Sequence, residues 1–103
     1  MAVVITEDNF KSTIESGITL VDFWAEWCGP CQGMMPIFEG LAGEMSDVTF
    51  AKVNVDEVSS VAAEYRVMSI PTFIVFKDGE IVGDPLIGAK TKEELVDAIE
   101  KAK

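Results

Sequence analysis

Hydrophobic and polar positions change period several times along this chain, and each change marks an element. Val3 to Ile5 is a short apolar run of strand character. Thr6 can cap the helix that follows. That cap puts Ile5 and Phe10 at the two positions of a hydrophobic staple, with Gly17 closing the helix as its C′ residue. Ile18 to Trp24 (ITLVDFW) is nearly unbroken β-branched and aromatic sequence, as in a strand buried on both faces. From about Pro30 to Met45 the period becomes helical, with Met34, Ile37, Phe38, Leu41 and Met45 on one stripe. Pro36 lies inside that helix and should kink it, since it removes the bond to the carbonyl of Gln32.

Val48 to Val55 reads as the next strand, and Asp56 is placed to cap a helix carrying Val58, Val61, Ala62 and Tyr65. Thr72 to Phe76 and Glu80 to Leu86 form a hairpin around Asp78-Gly79, a strong turn signal. Thr91 and Glu94 make a capping box ahead of the apolar face of Leu95, Val96 and Ile99. The expected order is β-α-β-α-β-α-β-β-α, about five strands and four helices of an α/β fold. No Pro/Gly/Ser-rich linker, repeat or low-complexity tract interrupts it, so residues 1–103 are expected to form a single domain.

Composition narrows the function. Apolar residues are 49% and charged residues 25% of the chain, which is globular rather than disordered. The longest apolar stretch, Ile70 to Phe76, is far short of the ~20 residues a membrane span needs. Val3-Val4-Ile5 is too short for a secretory h-region and runs straight into Thr6-Glu7-Asp8, so no export signal and a cytoplasmic location are expected. Eight Lys and Arg against 18 Asp and Glu leave a net charge of −10, which argues against nucleic acid or anionic membrane as a partner. The chain has no histidine, so imidazole acids, bases and metal ligands are excluded. Met34, Met35 and Met45 are expected to fill the core rather than to bind metal.

Two cysteines remain, in Trp27-Cys28-Gly29-Pro30-Cys31, between a buried strand and a helix. Two thiols at this spacing admit three chemistries. A structural staple closing so short a loop constrains the unfolded chain by only roughly 2 kcal/mol, and a core of this size does not need it. A zinc or iron–sulfur site needs about four ligands, which this chain would have to borrow from a second copy. A redox dithiol suits the setting better. Unpaired N–H groups and the helix dipole favour a thiolate at a helix N-terminus. Pro30 suits the first helical position, where its missing N–H costs nothing, and Gly29 leaves room for another chain to approach.

The residues around the motif resemble the thioredoxin family. Val21-Asp22-Phe23-Trp24-Ala25-Glu26-Trp27-Cys28-Gly29-Pro30-Cys31 reads as that family's active-site segment. Ala51-Lys52-Val53-Asn54-Val55-Asp56, Ser69-Ile70-Pro71-Thr72, Phe76-Lys77-Asp78-Gly79 and Gly88-Ala89 match its other landmarks in order, so the resemblance covers essentially the whole chain. It implies the thioredoxin fold, a central mixed sheet of about five strands flanked by four helices. It also implies a protein-disulfide reductase of broad specificity that carries no bound cofactor or metal. Its partners would be disulfide-containing proteins and a separate reductase, NADPH- or ferredoxin-linked, with the chain itself monomeric.

Residue by residue, the resemblance gives Cys28 the part of nucleophile. Its place ahead of the helix, where it should be the more exposed and better stabilised sulfur, agrees. Cys31, one turn on, would resolve the mixed disulfide. Asp22 interrupts an apolar strand between Val21 and Phe23, where burial should raise its pKa; the resemblance makes it the base for Cys31, while a purely structural Asp bonded to backbone donors is the alternative. Lys52 lies in the next strand between Ala51 and Val53. A right-handed crossover would set it beside Asp22 to modulate the carboxyl's pKa; otherwise it snorkels to solvent. Base rates favour a trans bond before Pro71, whereas the resemblance implies cis, with the Ile70 backbone free to pair with a substrate peptide. Trp27, Gly29, Pro30, Ile70, Ile87, Gly88 and Ala89 would form a flat docking surface around Cys28, with Trp24 packed beside it.

Two departures stand out. Gln32 replaces the Lys or Arg usual in the family after the second cysteine, removing a cation from the sulfurs. Gly83-Asp84-Pro85-Leu86 looks about one residue longer than the usual strand end, and Pro85 fits only an edge strand or bulge, which puts the geometry of Ile87-Gly88-Ala89 in question. The competing functions are a disulfide oxidase or isomerase of the same fold, which needs an oxidising compartment, and a non-catalytic binding module.

Overall fold

The computed structural model describes residues 2–103. The elements follow in the expected order: β1 (Val3–Val4), α1 (Phe10–Ile14), β2 (Ile18–Trp24), α2 (Gly29–Glu44), β3 (Val48–Asn54), α3 (Ser59–Glu64), β4 (Thr72–Lys77), β5 (Glu80–Ile87) and α4 (Lys92–Ala102). They build a mixed sheet in the order β1-β3-β2-β4-β5. β2 is central, parallel to β3 and antiparallel to β4. Its alternating side chains divide the interior. Val21 and Phe23 enter the layer with Phe10, Ile14, Val61 and Ala62 of α1 and α3, and Leu20 enters the opposite layer with Phe38 of α2 and Ile99 of α4. Asp22, sharing the parity of Leu20, faces the α2 side. Phe50 of β3 packs in that same layer, so Lys52, two residues on, also faces α2.

Several local details differ from expectation. Thr6 does cap, but it caps a turn. Its hydroxyl accepts the N–H groups of Asp8 and Asn9, Asn9 Oδ1 accepts the Thr6 N–H at 2.7 Å, and regular helix starts only at Phe10. Ile5 and Phe10 still meet in one buried cluster. Gly17 (φ +71) lies two residues beyond the α1 cap residue Glu15 and turns the chain into β2. Its N–H donates to Asp78 Oδ1 at 2.8 Å, and its carbonyl accepts the Asp78 N–H at 2.9 Å.

Asp56 does not cap α3, whose flanking residue is Val58 with no side-chain cap. The Asp56 N–H is tied to Asn54 Oδ1 at 3.0 Å and its carboxylate accepts the Trp27 indole N–H at 2.8 Å, so a partner across the fold outcompetes the local one. Met34 is buried and Met45 packs against its cluster, but Met35 is only half-buried outside it. At the hairpin, Asp78 and Gly79 both take positive φ (52° and 88°), the type I′ geometry that matches strand twist. Thr91 and Glu94 form the capping box reciprocally.

The β5 irregularity is a bulge. Val75 pairs with Val82 but Phe73 pairs with Leu86, so the extra residues around Pro85 loop out of an edge strand that can spare the missing donor. Register is recovered at Thr72–Ile87, and the Gly88 N–H donates to the Pro71 carbonyl at 2.8 Å. The loop beyond β5 therefore stays fastened beside Pro71.

Candidate active site

Cys28 ends the loop after β2 in extended conformation and is the N-cap residue of α2. Its sulfur accepts the backbone N–H of Cys31 at 3.2 Å, the bond a Ser or Asp oxygen makes at an ordinary helix start. The two cysteines are joined as a disulfide. Gly29 opens the helix and Pro30 is its second residue, one later than expected; that position's N–H has no partner in a helix either, so proline costs nothing there. Cys31 is fully buried and Cys28 is 5% exposed. The order of exposure is as expected, though both sulfurs are better covered than a surface thiol.

The Ile70–Pro71 peptide is cis, and the Ile70 carbonyl oxygen lies 3.8 Å from the Cys28 sulfur. Around this point the surface is apolar. Trp27 is 71% exposed and Ile87 59%, and Gly29, Pro30 and Gly88 border them. Met68, 92% exposed two residues before Ile70, adds apolar surface that periodicity could not reveal, because it sits in an irregular loop. Trp24 packs against the buried cluster of Ala25, Cys28 and Cys31. The Gln32 amide donates to the Glu26 carbonyl at 3.3 Å and brings no charge to the sulfurs.

Asp22 is completely buried, and neither carboxylate oxygen has a hydrogen-bond partner among the described residues. Its pKa is pushed up from 3.8 to about 7, chiefly by burial; Lys52 pulls it down and Glu39 pushes it further up. β2 and β3 do set Asp22 and Lys52 side by side in register. Lys52 therefore lowers the Asp22 pKa as expected, but the two do not form an ion pair. Lys52 Nζ instead lies 2.9 Å from Glu39 Oε2 on α2, and Glu39 Oε1 also accepts the Ala2 N–H at 3.3 Å. The physical reason is hydration. Lys52 and Glu39 meet where both keep contact with water, whereas pairing with Asp22 would bury two charges. Glu39 stays below the usual carboxylate range, chiefly through its bond to Lys52. Glu39 lies outside the apolar stripe of Met34, Ile37, Phe38, Leu41 and Met45, so the hydropathy pattern of α2 carried no signal for it.

Comparison with known proteins agrees. The Thioredoxin family model matches residues 1–101. Thioredoxin of Staphylococcus saprophyticus is 52% identical over 103 residues, covering 98% of both chains. Thioredoxin of Chlamydia pneumoniae is 52% identical over 101 residues at the same coverage. A mutant thioredoxin from Halobacterium salinarum superposes with a TM-score of 0.87 at 36% identity, over 96% of this chain and 88% of the other. A capped sulfur pair under a cis-proline loop, on a scaffold shared end to end with these relatives, identifies the chain as a member of the thioredoxin family and a protein-disulfide reductase, a thiol–disulfide oxidoreductase working through Cys28 and Cys31.

Proposed function

We propose that reduction runs in two steps, with Cys28 attacking and Cys31 resolving. The observation that carries this assignment is the N-cap position of the Cys28 sulfur, where the Cys31 N–H and the α2 dipole favour its anion. The Cys28 thiolate attacks one sulfur of a substrate disulfide. That S–S bond breaks, the departing sulfur leaves as a thiolate that takes a proton from solvent, and a mixed disulfide to Cys28 remains. Cys31 gives its proton to Asp22, and the resulting thiolate attacks the Cys28 sulfur. The Cys28–Cys31 disulfide forms, the second substrate sulfur leaves, and two electrons have passed from the dithiol to the substrate.

Asp22 suits the base because its proton affinity near neutral pH is that of a group able both to take and to release a proton. Lys52 modulates it from the neighbouring strand without direct chemistry. An extended peptide pairs with the Ile70 backbone beside Pro71, flanked by Trp27, Gly29, Pro30, Ile87, Gly88 and Ala89. The family match over residues 1–101 supports one domain, and we propose that this domain acts as a monomer. Its dithiol needs recharging by a separate thioredoxin reductase, which suits a reducing compartment such as the bacterial cytoplasm.

The test is trapping. The Cys31→Ser variant should accumulate mixed disulfides to target proteins through Cys28 on non-reducing gels, and Cys28→Ser should not. If the first variant stays unlinked and the second becomes linked, the order of attack is reversed.

A further inference from the structure

Glu39 has no part in the chemistry above, yet it is the partner that Lys52 chooses. Lys52 Nζ is 2.9 Å from Glu39 Oε2, the other Glu39 oxygen is held by the Ala2 N–H, and the Asp22 carboxylate one strand away is left without a hydrogen-bond partner among the described residues. We infer that Glu39 is a positioning residue for the resolving step: by holding the Lys52 ammonium on the α2 side, it keeps that cation off Asp22 and leaves Asp22 free to accept the Cys31 proton. This rests on Asp22 acting as that base.

Among the described residues, the charged groups acting on Asp22 are few. β3 brings Lys52 and α2 brings Glu39, with Cys31 titratable once reduced. β4 meets Asp22 with Phe73, and α4 packs Leu95 and Ile99 into the same layer. Removing the Glu39 charge therefore acts twice in one direction. It frees Lys52 to approach Asp22, and it takes away a negative charge that favours the protonated form. Both make Asp22 a weaker base.

The experiment follows the Asp22 side-chain carboxyl by NMR in the reduced protein, alongside the pH dependence of mixed-disulfide resolution in single turnover. In Glu39→Gln the Asp22 midpoint should fall by about one pH unit, the effect of an opposite charge brought within about 4–6 Å. Glu39→Asp should restore most of it, and in a Lys52→Met background the Glu39→Gln shift should shrink to less than half. A midpoint that stays or rises in Glu39→Gln, or a shift that persists in full without Lys52, overturns the inference. If the midpoint falls while the resolution profile stays in place, Glu39 still governs Asp22, and it is the assignment of Asp22 as base that fails.

Discussion

The sulfur of Cys28 and the backbone N–H of Cys31 lie 3.2 Å apart, so the helix that carries the second cysteine begins on the first. One bond serves two ends. It satisfies one of the four unpaired donors of α2, and it directs partial positive charge at the atom that must become an anion. Cys31, three residues inside and fully buried, gains no such help.

The reduced protein should therefore be alkylated unevenly. Near neutral pH, iodoacetamide should label Cys28 about tenfold or more faster than Cys31, because the helix start favours the anion of the capped sulfur while Cys31 is fully buried. Mass mapping of the labelled peptides over time reads both rates. Equal rates would remove the basis for separate roles.

ITLVDFW announces a strand covered on both faces, and the structure puts it at the centre of the sheet. Thr91 and Glu94 announce a helix start because both halves of the capping box are local. Asp56 misled because a local cap and a distant indole compete for one carboxylate, and the position of Trp27 decides the contest. Lys52 was legible in part, since it lies beside Asp22 and lowers its pKa as expected. The crossover that pairs it with Asp22 is a rule of chain handedness, but its choice of Glu39 depends on relative hydration, which sequence spacing does not encode.

Asp22→Asn should slow resolution yet stabilise the fold above neutral pH. The folded protein holds the Asp22 proton up to about 7, whereas the ordinary value is 3.8. Asp22 thus contributes its full stability below the unfolded value and loses it as pH climbs from about 4 through about 7. Charging the buried group costs roughly 4 kcal/mol at pH 8, and an unpaired buried amide returns part of that penalty. The variant should accordingly be more stable by about 1–3 kcal/mol at pH 8, with the difference shrinking by pH 5. Urea midpoints at the two pH values check this; a variant less stable at pH 8 would contradict a desolvated carboxylate.

Asp56→Ala should touch function more than folding. The carboxylate steadies an indole that is 71% exposed, so little core energy is at stake and stability should change by no more than about 0.5 kcal/mol. Freeing the indole loses one net hydrogen bond of order, which should raise KM for protein disulfides about two- to fivefold. Insulin-reduction kinetics would show it, and an unchanged KM would mean that the ring's orientation is irrelevant to docking.

Gly88 and Gly17 offer a matched pair. Both have positive φ, +91° and +71°, and a Cβ built on either would meet nothing within 4 Å, so alanine at each suffers backbone strain and no clash. Each substitution should cost about 1–2 kcal/mol of stability. Only Gly88 reaches the site, through its N–H to the Pro71 carbonyl at 2.8 Å; Gly17 sits at the opposite end of β2, bonded to Asp78. Gly88→Ala should therefore raise KM for protein disulfides severalfold while Gly17→Ala leaves it alone, even though thermal melts show similar losses. Equal KM values in the two variants would mean that the loop after β5 takes no part in substrate docking, and that the bulge at Pro85 is a feature of the edge strand alone.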